Sequence, residues 1–126
     1  MARAKASEPS QRMLRVGEEL RHILSATLRE GGFDDPVLFE KAPNVTITQV
    51  TVSPDLKYAT AYVMTLGGVD LEDVLQALNE SAWLFQQAIG KGVKMRSTPK
   101  VKFVVDTSFE TAGRIEQILR DINHSG

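Results

Sequence analysis

Cysteine is absent from all 126 residues. That excludes a disulfide frame and any thiolate metal site, and it suits a reducing cytosol, so a cytoplasmic location is expected. Aromatic residues are scarce, with Trp83 the single tryptophan. Charge of one sign is not in excess either, since the formal net charge is -1. Any hold on a polyanion must therefore come from a local patch, not from the field of the whole protein. No apolar run approaches the roughly 20 residues that a membrane-spanning helix needs, and no membrane partner is expected. Arg3 and Lys5 are followed by no apolar segment, so residues 1–8 read as a disordered tail without a secretory signal. The chemistry-bearing motifs are missing too: there is no P-loop, no strand-linked GxGxxG and no HExxH. His22 and His124 stand alone, and Ser25, Ser53, Ser81 and Ser97 have no placed histidine partner. The acidic groups Glu18-Glu19, Asp34-Asp35 and Asp70 with Glu72 and Asp73 fit a wet helix face, a turn and a helix start. The chain is expected to be no enzyme, with no metal, no cofactor and no small-molecule substrate.

What is present patterns as one α+β domain over residues 9–122, with 123–126 as a frayed end. Ser7 or Ser10 caps a first helix whose stripe is Met13, Val16, Leu20, Ile23, Leu24, Thr27 and Leu28, stopped by Gly31-Gly32. Gly17 sits inside that helix, where it costs about 1 kcal/mol relative to alanine, as if a strand came close. Phe33 to Pro43 reads as a loop broken by Asp34, Asp35, Pro36 and Pro43. Strand Val45–Val52 slips its alternation at Gln49, which implies a bulge there or partial cover on both faces. Ser53-Pro54-Asp55-Leu56 turns the chain into a strand from Tyr58 to Met64, its alanines facing a helix. Asp70 caps a long helix with the stripe Leu71, Val74, Leu75, Leu78, Ala82, Phe85 and Ile89. Ala77, Ser81, Leu84 and Ala88 give it a second face, so it is buried on two sides or broken near Ser81. Trp83 lies off the main stripe and is expected to cap a core edge, with base stacking as the other reading.

The remaining stretch carries the functional signal. Lys91, Lys94, Arg96, Lys100 and Lys102 arrive with no acidic residue among them before Asp106. Val101, Phe103 and Val105 alternate with the lysines, which marks a strand with one buried face and its cations outward. Thr107 and Glu110 then have capping-box spacing, opening a last helix with the stripe Phe109, Ala112, Ile115, Leu119 and Ile122. Lysines on a strand can serve only to discourage edge pairing. That explains Lys100 and Lys102 and explains less well the three cations before them, so charge alone leaves both readings open. The reading taken is an RNA contact, helped by Arg12, Arg15 and Arg21 of the first helix, which otherwise form a solvated helix face. The competing class is a protein-interaction module docking through an exposed strand edge.

The segments VTVSPDLKYATAYV (50–63), RSTPKVKFVVDTSFETAGRIEQIL (96–119), RVGEELRHIL (15–24) and Asp35-Pro36-Val37-Leu38 together resemble the ribosome-binding factor A family. The resemblance runs from residue 12 to about 120, in order. It implies a KH-like domain of type II arrangement: helix, two strands, helix, kink, helix, strand, helix, with helices on one face of a mixed three-stranded sheet. It further implies a non-enzymatic, cold-important factor, monomeric when free. Such a factor binds the small ribosomal subunit and its rRNA, assists formation of the mature 5′ end of that RNA, and leaves before translation. No GxxG loop occurs in this chain, although KH domains use one to clamp nucleotide backbone. The family's helix break at an Ala-x-Gly step falls on Ser81-Ala82-Trp83, where Ser81 could bend the helix by bonding back to a carbonyl.

Overall fold

The computed structural model describes residues 9–108. The tail expected at 1–8, the last helix expected from Phe109 onward, with Glu110 of its capping box, and the frayed end expected at 123–126 lie outside these residues. Helix α1 spans Gln11–Glu30. Ser10 is its cap: the hydroxyl accepts the Met13 N–H at 3.1 Å, and the Met13 sulfur accepts the Ser10 N–H. Leu20, Leu24 and Leu28 recur every fourth residue and are buried, while Gly31 ends the helix at φ 66.

Gly17 is explained by what lies above it. A Cβ there would stand 2.5 Å from the backbone oxygen of Val50, so the helix and the first strand touch through bare backbone. The expected loop from Phe33 to Pro43 is corrected in its middle, where α2 runs Pro36–Lys41. Asp35 accepts the N–H groups of Val37 and Leu38, and Pro36 occupies a first-turn position whose N–H has no intrahelical use. Of the residues read as breakers, Asp35 and Pro36 form a helix start, while Pro43 lies in the turn that follows. Phe33 is buried, stacked on Phe85 at 5.8 Å.

After a short 3-10 turn at Ala42–Asn44, strand β1 runs Val45–Val52. Its pairing with β2, Tyr58–Thr65, is antiparallel and shifts register between Ile47 and Gln49. A bulge there lets Ile47 and Val50 both face inward despite their odd spacing. In the connecting turn the Asp55 carboxylate accepts from the Ser53 hydroxyl at 2.6 Å and the Lys57 N–H at 3.0 Å. Strand β3, Lys100–Val105, lies parallel to β2 on the side away from β1, giving a mixed sheet in the order β1-β2-β3.

The long helix is two helices, α3 at Leu71–Glu80 and α4 at Ala82–Gly92. Ser81 separates them at φ -102 and ψ 15, its N–H still reaching the Ala77 carbonyl at 3.0 Å. The Ser81 hydroxyl makes no back-bond, so the break lies in the backbone alone. Asp70 departs from its expected role. It adopts a left-handed conformation at φ 56, caps nothing with its side chain, and pairs with Lys41 at 3.0 Å instead. Val74, Leu78, Phe85 and Ile89 are buried under the sheet beside Ala59, Ala61, Val63, Val101 and Phe103. The opposite sheet face carries exposed Thr46, Thr51, Tyr58, Lys100 and Lys102. Among the described residues the helices cover one face of the sheet only.

Gly17→Ala is expected to lower stability by roughly 1–3 kcal/mol, because the clash with the Val50 carbonyl outweighs the gain in helix propensity. Urea unfolding monitored by circular dichroism would show it; a stabilised variant would mean the contact is looser than described.

Candidate nucleic-acid interface

Strand β3 owes its position to side chains as much as to β2. Phe103 donates its N–H to Asn79 Oδ1 at 2.8 Å and accepts from Asn79 Nδ2 at 3.0 Å, so one amide mimics a neighbouring strand. Gln86 Oε1 accepts the Val101 N–H at 3.0 Å. The outer edge of β3 is thereby occupied by α3 and α4, and Val101 and Phe103 are buried, Phe103 edge-on to Phe85 at 5.0 Å. Alternation then puts Lys100 and Lys102 on the open sheet face, with Tyr58 and Thr60 as their register partners on β2.

The other cations lead into this strand. Lys91 ends α4, while Lys94 and Arg96 lie in the connection at 93–99. That connection hugs the helix end: a Cβ on Gly90 would lie 3.2 Å from the Thr98 hydroxyl, and one on Gly92 would meet Ile23 of α1 at 2.8 Å. Pro99 is buried and pins the entry to β3. Lys91, Lys94, Arg96, Lys100 and Lys102 are all exposed, and none forms an ion pair among the described residues. The ridge therefore wraps from the end of α4 to the open sheet face instead of lying on one plane.

The other basic residues divide. Arg12 and Arg15 are exposed and have no ion-pair partner among the described residues, but they belong to the start of α1, which packs on β1, two strands from the lysines of β3. Arg21 is tied to Glu18, with its Nε 3.1 Å from the carboxylate. This contact raises the guanidinium's pKa and lowers that of Glu18, and it removes Arg21 from the unpaired set. Sequence reading missed Lys57, whose carbonyl accepts the Lys100 N–H at 2.9 Å. That backbone bond sets the exposed Lys57 beside the entry to β3, a proximity with no local signature in the sequence. Asp55 on the same turn offsets part of its charge.

Asp106, the first acid after the ridge, does not neutralise it. Its carboxylate accepts the N–H and hydroxyl of Ser108 at 2.8 and 2.6 Å and the hydroxyl of Thr48 at the β1 bulge. Four residues of strand, about 13 Å, separate it from Lys102. Those hydrogen bonds, Ser108 foremost, hold its pKa below the ordinary value. Trp83 does not cap a core edge: it is 60% exposed on the outer side of α4. An apolar groove of about 440 Å³ lies elsewhere, between the start of α1 and β1, lined by Met13, Leu14, Val50, Val52 and Pro54. Among the described residues no cluster of histidine, aspartate and glutamate could hold a metal, and no helix is long and apolar enough to cross a membrane.

Residues 12–119 match the family model described as ribosome-binding factor A. A ribosome-binding factor A from Paramagnetospirillum magneticum is 44% identical over 126 residues, covering 95% of this chain and 87% of the relative. The chain belongs to the ribosome-binding factor A family. The crystal structure of ribosome-binding factor A from Thermus thermophilus covers 74% of this chain and 93% of its own at TM-score 0.62 and 24% identity. A homology model of the Thermus thermophilus factor, fitted into a cryo-EM map of a 30S complex, overlays at TM-score 0.58 with 20% identity, covering 75% and 96%. The fold is accordingly KH-like and α+β, with the helix pair broken at Ser81 in place of a GxxG loop.

Because Asp106 binds its proton less readily in the fold than in the unfolded chain, it stabilises the protein above the ordinary aspartate value of 3.8, and that contribution is lost as pH falls below it. Asp106→Asn should lower the unfolding midpoint at neutral pH and flatten the acid limb of the stability profile. An acid limb unchanged in the variant would place that dependence on other carboxylates, such as Asp55.

Proposed function

We propose that this chain is a non-catalytic, cytoplasmic assembly factor that binds the small ribosomal subunit through its rRNA. It acts in late maturation, including formation of the mature 5′ end of that RNA, with its greatest importance in the cold, and it is monomeric when free. Family membership supports the ribosomal target, as does the Thermus factor placed in a 30S map. The observation that carries the reading is the acid-free stretch from Ser81 to Val105, whose five cations are exposed and unpaired among the described residues. Lys91, Lys94, Arg96, Lys100 and Lys102 contact phosphates, Lys57 adds to them, and Arg12 and Arg15 form a second contact. Phosphate contacts position a protein without reading sequence, so specificity comes from the shape of the ribosomal site.

A second reading, docking of a protein segment along β1, is favoured by the apolar groove beside that strand, whose outer edge has no backbone partner among the described residues. The covered edge of β3 gives it no support.

Reversing two charges, Lys94→Glu with Arg96→Glu, is expected to abolish co-sedimentation with small subunits while leaving thermal unfolding nearly unchanged. If all five cations neutralise phosphates, log K should fall with log salt at a slope of about -3.5 on single strands or about -4.5 on duplex. Unaltered co-sedimentation of the variant, or salt-insensitive binding, would transfer the interface to the β1 groove. Turnover of precursor RNA by the purified protein with a divalent ion would contradict the non-catalytic assignment.

A further inference from the structure

Trp83 is the one large aromatic of α4 that the core does not use. Phe85 and Ile89 fill the buried stripe, while the indole is 60% exposed and has neither a hydrogen-bond nor a ring partner among the described residues. A lone exposed apolar side chain needs no partner by itself, and Leu14, Phe39 and Leu66 are as open to solvent; Trp83 differs from them in lying on the helix that leads into the cationic ridge. Gln87 and Lys91 follow at steps of four residues, both exposed, which sets Trp83 and Lys91 about 12 Å apart along the helix axis and about a quarter turn apart around it, with Gln87 between them. No acidic residue occurs from Ser81 to Val105. The nearest, Glu80, closes the preceding helix with its carboxylate on the Gln76 amide at 2.9 Å. A partner for this strip must offer flat apolar surface and dense negative charge together. Single-stranded RNA does so with bases and phosphates on one chain, and stacking on an aromatic ring tolerates any base.

We propose that Trp83 is a stacking platform for an unpaired RNA base, placed at the far end of the cationic ridge that runs from Lys91 to Lys102. This rests on reading that ridge as an RNA contact. The ridge holds the backbone, and the indole fixes how far along α4 the strand extends.

Because Trp83 is the sole tryptophan, its emission reports on the site directly. Titrating the whole protein at low salt with a short unstructured oligoribonucleotide should quench that emission and shield it from acrylamide. Trp83→Ala should weaken binding of the labelled oligonucleotide roughly tenfold, Trp83→Phe should restore most of it, and the salt slope should be the same in all three proteins. The unfolding midpoint of Trp83→Ala should match that of the parent. Unchanged emission at saturating RNA, with binding still lost on charge reversal at Lys94 and Arg96, would overturn the stacking platform and leave the phosphate surface intact. Weaker binding of Trp83→Ala to small subunits without quenching by RNA would assign the indole to a ribosomal protein and equally overturn it. A parent protein without salt-dependent binding to either RNA or subunits would remove both.

Discussion

Phe103 gives its backbone N–H and carbonyl to a single side chain, the amide of Asn79, and nearly everything about the candidate surface depends on that bond pair. A parallel edge strand has no hairpin to hold it in register and must be fixed from outside. Asn79 and Gln86 do so from two consecutive helices, and the break at Ser81 lets both contribute from one side. With the outer edge of β3 thus held, its inward residues are committed to Phe85 and the sheet core, and Lys100 and Lys102 are committed to the open face. The edge that would otherwise invite another strand is closed, so strand addition at β3 is blocked.

The break at Ser81 also divides the surface electrically. Before it, α3 carries Glu72, Asp73 and Glu80; after it, α4, the connection and β3 carry only cations as far as Asp106. In a chain of net charge -1 such segregation leaves a local positive field that pairing does not cancel. Where basic residues do have partners they belong to the scaffold: Arg21 with Glu18 along α1, and Lys41 with Asp70 fastening α2 to the start of α3.

Much of this was legible beforehand where the signal is local. Both hairpin strands, the slip at Gln49, the turn through Asp55 and the helix stop at Gly31 each follow from backbone chemistry within a few residues. The resemblance to ribosome-binding factor A supplied the topology and the place of the break, which periodicity alone could only suggest. What escaped was non-local or ambiguous. Asp35-Pro36 reads equally as a breaker or as a cap with its first helical residue, and burial of Leu38 decided for the helix. Lys57 comes beside the entry to β3 only through a backbone bond to Lys100, far along the chain. Arg21 has a carboxylate partner because Glu18 stands one turn before it. Trp83 misled because a tryptophan near a helix break usually covers apolar neighbours, whereas α4 turns its indole to water.

The central claim is that residues 91–102 are the contact between this protein and the small subunit. Hydrogen exchange of the full chain, followed by mass spectrometry with and without purified small subunits, tests it most directly. Slowed exchange is expected in the connection at 93–99, whose amides include no strand or helix interior, and at the entry to β3. Slowing confined to β1 and the first half of α1, with 91–102 exchanging as in the free protein, would contradict it.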